Sequence, residues 1–194
     1  MPLPYANFAG LISRNMKIVI IGGGFAGINL ALDLSKTRNY EVTLVDKNNY
    51  NFFPPLIYQV ATAFLEPSSI SYPFRKLFYK KDNLHFRLGE LLRVVPNENK
   101  IILSNGELDY DFLVFATGAE TNFFGMENVK RNSTPMKTLE DAISMRNKLL
   151  QQMEKATLCD DPAESKKLLT VVIAGGGPTG VEISGMFAEM RMVS

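Results

Sequence analysis

The chain has 194 residues, 46% of them hydrophobic and 21% charged, which is enough for a buried core and excludes a disordered or collagen-like chain. Its 21 basic and 20 acidic residues give a net charge of +1, and no basic block is dense enough to suit a nucleic-acid backbone. A single cysteine, Cys159, rules out an intrachain disulfide and any enzyme that works through a redox cysteine pair. No apolar run approaches the ~18 residues of a membrane-spanning helix. Met1–Asn15 carries Arg14 as its one charge and lacks a basic start and a long apolar stretch, so it reads as a leader, not a secretory signal.

The first element is the apolar run Lys17–Ile21, followed at once by Gly22-Gly23-Gly24-Phe25-Ala26-Gly27. Ile28, Ala31, Leu32 and Ser35 then follow helical spacing. Strand, glycine turn and helix in that order form a dinucleotide-binding βαβ start. One glycine allows the tight turn, the next lets a pyrophosphate approach the backbone, and the last lets helix pack on strand. Phosphates then meet free N–H groups at the helix N-terminus. The next strand, Glu41–Val45, closes at Asp46, nineteen residues past Gly27, where a carboxylate accepts hydrogen bonds from a ribose diol and disfavours a 2′-phosphate.

Residues 51–78 are aromatic and proline-rich, which fits either core with a covering loop or the apolar wall of a flavin pocket, with Gln59 and Thr62 as its polar contacts. A short helix is expected after the prolines and a second over Ser71–Lys81, whose Arg75, Lys76, Lys80 and Lys81 form a basic face that suits solvent or, as the second reading, lipid headgroups. Residues 84–116 read as β structure: Leu84–Leu88 as one strand, then Leu92–Val95, Ile101–Leu103 and Leu108–Tyr110 as a meander with turns at Pro96–Asn99 and Asn105-Gly106. Phe112–Ala116, apolar throughout, suits the buried centre of a parallel sheet and ends in Thr117-Gly118. His85 has a structural place on its strand, and no His or Cys cluster has metal-ligand spacing. Residues 119–137 form a crossover linker. Thr138-x-x-Asp141 is a capping box for a helix over Leu139–Ala156, with Ala142, Met145, Leu149 and Met153 as its apolar stripe. Residues 157–167, with Cys159, read as a loop. Leu169–Ala174 is then a strand leading into a second fingerprint, Gly175-Gly176-Gly177-Pro178-Thr179-Gly180, and a helix carrying Val181, Ile183, Ser184 and Phe187. The fold expected is α/β: two Rossmann-like dinucleotide-binding units, the second truncated, with a small β-meander in the first.

Four segments, Lys17–Ile28, Phe53–Arg75 with its Tyr58-Gln59-Val60-Ala61-Thr62, Tyr110–Gly118 and Val172–Glu182, resemble type II NADH dehydrogenases, the single-subunit FAD-dependent NADH:quinone oxidoreductases. The likeness covers nearly all of residues 16–194. It implies that Gly22, Gly24, Phe25, Ala26 and Gly27 hold the FAD pyrophosphate, and that Asp46 takes the adenosine ribose where many relatives have Glu. Lys47 is implied near that ribose and Leu91 at the adenine edge. Ala116, Thr117 and Gly118 would close over the FAD, with Gln59 and Thr62 beside the isoalloxazine. Gly175, Gly177, Pro178, Thr179 and Gly180 are implied to receive the NADH phosphates, and Glu182 to stand near the nicotinamide–flavin junction, where it could relay quinone protons.

The resemblance further implies an FAD domain over 16–118, a linker over 119–137 and the start of an NADH domain over 138–194, which would make this the N-terminal part of a longer enzyme. Such an enzyme binds peripherally to the inner face of the cell membrane through a C-terminal region, has NADH and quinone as its partners, and leaves a homodimer open. Two rival readings remain: an FAD-dependent NAD(P)H reductase of a ferredoxin-like protein, and a non-catalytic flavin-binding fragment.

Overall fold

The computed structural model describes residues 15–193; the leader expected over residues 1–15 lies, except for Asn15, outside the described residues. Strand β1 (Met16–Ile21) runs through the first glycine turn into helix α1 (Phe25–Leu34), and β2 (Tyr40–Asp46) returns parallel to β1 with Ile20 opposite Leu44. A two-stranded ladder of β3 (Tyr50–Phe52) and β4 (Ser71–Pro73) brackets α2 (Ile57–Ala61) and α3 (Pro67–Ile70). Then come α4 (Phe74–Leu77), β5 (Leu84–Leu88), β6 (Leu91–Val95), β7 (Lys100–Leu103), β8 (Gly106–Asp109) and β9 (Phe112–Phe115). The chain continues as α5 (Glu127–Asn132), α6 (Leu139–Thr157), α7 (Pro162–Leu168) and α8 (Pro178–Val193). Two compact units divide the described residues: those up to Asn51 with Tyr72–Gly118, and Phe52–Ser71 with those from Ala119 onward.

The first unit is built on a parallel sheet of order β5-β2-β1-β9. Its strands alternate between two apolar faces. Ile18, Ile20, Val42 and Leu44 pack against Ile28 and Ala31 of α1 and against Phe74 and Phe78. Val19, Ile21 and Val45 point the other way, onto Ile101 and Leu103 of the antiparallel meander β6-β7-β8. Burial on both faces is why β1 and β2 read as near-continuous apolar runs. Each fully buried Leu, Ile or Val contributes roughly 1.5–3 kcal/mol. β5, read from the sequence as a strand separate from the meander, joins the parallel sheet, with Phe86 opposite Leu44.

In the second unit α6 starts on the capping box expected from the sequence. Thr138 Oγ1 accepts from the Asp141 N–H at 3.1 Å, and Asp141 Oδ2 accepts from the Thr138 N–H at 2.8 Å. Leu139, Ala142 and Ala156 are buried, while Met145, Leu149 and Met153 are half-buried. The helix packs on α2 and α7, and α2 also meets α8.

Five expectations are corrected. The helix over Ser71–Lys81 shrinks to α4, because Tyr72-Pro73 is extended and pairs as β4. The residue 157–167 loop contains α7, capped by Asp161, whose Oδ1 accepts from the Ala163 N–H at 2.9 Å, with Pro162 in the first turn. The linker contains α5. β9, expected at the centre of the sheet, stands at its edge, with Phe112 56% and Phe115 59% exposed. Leu169–Ala174 forms no ladder among the described residues, and Val172 is 85% exposed. Parallel strands draw their hydrogen bonds from neighbours brought by distant crossovers, so an apolar run alone does not make a ladder.

Candidate functional site

The first unit gathers its candidate site at the C-terminal ends of β1, β2 and β9, where open α/β sheets bind ligands. The Gly22 N–H donates to the Val45 carbonyl at 2.8 Å and the Ala116 N–H to the Ile21 carbonyl at 2.7 Å, so both neighbouring strands fix where the turn starts. Gly22 has φ +106°, and a Cβ there would strike the Ala116 carbonyl. A Cβ on Gly27 would strike the Gly22 carbonyl and lie 3.4 Å from the Ala116 Cβ. Both glycines are therefore dictated by the fold of the turn itself. Gly24 is the N-cap of α1, without a side-chain cap or an acid in the first turn, and the space over it is open. That cradle suits an anion at the positive end of a helix.

Asp46 is joined to this turn. Its Oδ2 accepts from the Gly23 N–H at 2.6 Å and its Oδ1 from the Asn48 N–H at 2.8 Å. A carboxylate has about four lone-pair sites, so two remain for a ligand diol. The Gly89 N–H donates to the Asp46 carbonyl at 2.9 Å and brings the chain toward Leu91. Leu91 itself packs on the cluster of Val19, Ile21, Val45, Ile101 and Leu103. Lys47, Thr117 and Gly118 are exposed, and Ala116 is half-buried. A cavity of about 210 Å³, lined by Lys17, Glu41, Thr43, Glu107 and Asp109 among others, lies at the opposite ends of β1 and β2, away from the glycine turn.

In the second unit, Gly175 has φ +116°, and a Cβ on Gly180 would strike the Gly175 carbonyl, matching Gly22 and Gly27. The Val181 N–H donates to the Gly177 carbonyl at 3.1 Å, as the Ile28 N–H does to Gly24 at 3.0 Å. Pro178 and Thr179 open α8, and exposed Glu182 lies beyond its first turn. On α2, Gln59 is half-buried and its Nε2 donates to the Tyr58 hydroxyl at 3.2 Å. Thr62 is buried, and its hydroxyl donates to the Tyr58 carbonyl at 2.8 Å. Sequence reasoning missed Phe74, which lies beneath Gly23; nothing in the local spacing signals that contact.

Residues 16–193 match the pyridine nucleotide-disulphide oxidoreductases. The chain belongs to that family. Among its relatives, the type II NADH:quinone oxidoreductase NdhA of Mycobacterium tuberculosis is 35% identical over 178 residues, 90% of this chain and 38% of the relative. The mitochondrial external alternative NAD(P)H-ubiquinone oxidoreductase B2 of Arabidopsis thaliana is 33% identical over 184 residues, 89% of this chain and 31% of its own length. The structure of Plasmodium falciparum NDH2 in complex with NADH superposes with a TM-score of 0.83 at 32% identity, over 93% of this chain and 39% of that one. The chain thus spans well under half the length of each. Cys159 is the one cysteine of the chain, and its Sγ donates to the Asp161 carbonyl at 3.5 Å, in the α6–α7 connection. The α/β fold with a parallel sheet agrees with the architecture expected from the sequence.

Proposed function

We propose that the protein containing this chain is an FAD-dependent NADH:quinone oxidoreductase. The observation that carries this reading is the pair of glycine turns, Gly22–Gly27 and Gly175–Gly180, held in one conformation in separate units. A protein with two dinucleotide sites is built to pass electrons between their ligands. The first turn fits FAD: its cradle over Gly24 is open, its helix start is uncapped, and its neighbouring carboxylate is fixed with lone pairs to spare.

In this reading residues 16–118 carry the FAD site, 119–137 the linker and 138–194 the start of the NADH site. The backbone of Gly22, Gly24, Phe25, Ala26 and Gly27 binds the pyrophosphate, and Asp46 orients the adenosine ribose with Lys47 beside it. Leu91 borders the adenine, while Ala116, Thr117 and Gly118 shield the FAD from water. Gln59 and Thr62 supply polar contacts to the flavin ring. Gly175, Gly177, Pro178, Thr179 and Gly180 seat the NADH pyrophosphate at the start of α8. Glu182 holds a proton for the quinone. Bound FAD supplies the chemistry of accepting a hydride and releasing its electron pair.

The similarity to NADH:quinone and NAD(P)H-ubiquinone oxidoreductases supports quinone as the acceptor. The same reading sets the whole protein peripherally on the inner face of the cell membrane. No helix among the described residues is long and apolar enough to cross a membrane. The test is an anaerobic NADH titration of the flavin-loaded protein followed by its visible spectrum, then reoxidation with a short-chain quinone. Bleaching on NADH and recovery on quinone are expected. Bleaching that only a ferredoxin-like protein reverses would replace the acceptor, and no flavin binding by this chain or by a longer form would refute the reading.

A further inference from the structure

The position between the first two fingerprint glycines is one the dinucleotide pattern leaves open, since the pyrophosphate makes no demand there. In this chain it is Gly23. A Cβ on Gly23 would collide with the Cζ of Phe74, lie 2.7 Å from its Cε1, and come within 3.1 Å of Asp46 Oδ2. The equivalent Gly176 of the second turn has nothing within 4 Å of such a Cβ. The crowding at Gly23 is thus a property of the first site and not of the motif.

Phe74 is fully buried and cannot easily yield. Its ring stacks on Phe86 with centroids 4.8 Å apart and planes inclined by 24°, and Phe78 lies 6.1 Å away. Its N–H donates to the Asn49 carbonyl at 3.1 Å, three residues past Asp46. Outside the stack, the Arg75 guanidinium lies 5.2 Å from the Phe86 ring centroid. The ring is therefore a fixed floor under the turn, and Gly23 is caught between it and the carboxylate that accepts its N–H at 2.6 Å.

We propose that Phe74 is a positioning residue: through Gly23 it sets the height of the glycine turn and holds the Asp46 carboxylate in line for a ribose diol. The proposal rests on the FAD reading above for the identity of that ribose. It also explains the glycine at an open fingerprint position, because any side chain there would lift the turn off the ring and break the Gly23–Asp46 hydrogen bond.

The test uses the complete chain and three substitutions, Gly23→Ala, Phe74→Leu and Asp46→Asn, each made alone and Phe74→Leu also combined with each of the other two. FAD affinity is read by flavin fluorescence, and thermal unfolding is followed in parallel. Gly23→Ala is expected to weaken FAD binding at least tenfold. Adding Phe74→Leu, which removes the ring atoms that the new methyl would strike, is expected to restore most of it. Phe74→Leu alone weakens binding several-fold, and in the Asp46→Asn background it changes affinity less than twofold. A purely structural role would leave the Phe74→Leu loss intact when Asp46 is neutral, and that result overturns the proposal. So does Gly23→Ala without effect, or without rescue in a chain that still unfolds cooperatively. If the unaltered chain binds no FAD, the FAD reading fails and takes the ribose assignment with it. The Gly23–Phe74 lock is then decided by whether the two substitutions are non-additive in unfolding temperature, additivity overturning it.

Discussion

Asp46→Asn is the substitution that tests the first site most directly. The native carboxylate accepts from two backbone N–H groups, Gly23 at 2.6 Å and Asn48 at 2.8 Å, one on each oxygen. Asparagine keeps the shape but offers one oxygen, so one of the two donors meets an NH₂ donor instead. A hydrogen bond to a charged acceptor is worth about 1.5–3 kcal/mol. With a half-buried side chain, we take about 2 kcal/mol for the loss, which for a protein of this size lowers the unfolding temperature by about 4–8 °C. Binding is reduced separately, because the ribose diol loses a charged acceptor. The same range of bond strength corresponds to a roughly ten- to hundredfold loss of FAD affinity. Calorimetry gives the first quantity and flavin fluorescence titration the second. A variant that binds FAD within twofold of the unaltered chain refutes the ribose role. One that also unfolds at the native temperature refutes the claim that Asp46 anchors the turn.

Gly27→Ala and Gly180→Ala each drive a methyl into the carbonyl that opens their own turn. Gly27→Ala is expected to abolish FAD retention, whereas Gly180→Ala leaves the flavin bound and removes its bleaching by NADH; both are read in the visible spectrum. Thr138→Ala removes half of the capping box of α6 and is expected to cost about 1 kcal/mol, seen as a lower urea midpoint in helical circular dichroism. Lys100 is held above its ordinary pKa of 10.5, first by its hydrogen bond to Glu107 and then by the charges of Glu107, Glu98 and Asp109. Since the folded state binds that proton more tightly, the stabilisation is complete below pH 10.5 and fades as pH rises through the raised value. Lys100→Met is therefore expected to lower the unfolding temperature at neutral pH, and its curve should meet that of the unaltered chain at strongly alkaline pH.

The parts of the fold legible in the sequence are those whose cause is local. Thr138 and Asp141 satisfy each other's backbone within one turn, and Asn105-Gly106 closes a hairpin by its own geometry. Strand order was less accessible. Phe112–Phe115 has the composition of a central strand yet stands at the sheet edge, because neighbours and not composition decide that place. The α7 start also has a local cause, the Asp161 cap with Pro162 in the first turn, but it lies in a polar stretch that reads as a loop. Phe74 lay beyond local reasoning, since its partner Gly23 is far away in sequence and carries no side chain to advertise a contact.

The two fingerprints show what such a motif encodes and what it does not. Both turns have the same positive φ at the first glycine and the same close approach of the last glycine to its carbonyl, although only the first is flanked by paired strands. The turn is therefore a local property of the glycines and of the helix that follows. Around Gly22–Gly27, however, the Ala116 carbonyl, the Asp46 carboxylate and the Phe74 ring each close on the backbone, whereas a Cβ on Gly175, Gly176 or Gly177 would meet nothing within 4 Å. A phosphate cradle needs only the turn. In the reading proposed above, orientation of the rest of a dinucleotide needs the distant residues, Asp46 at the end of β2 and Phe74 at the start of α4.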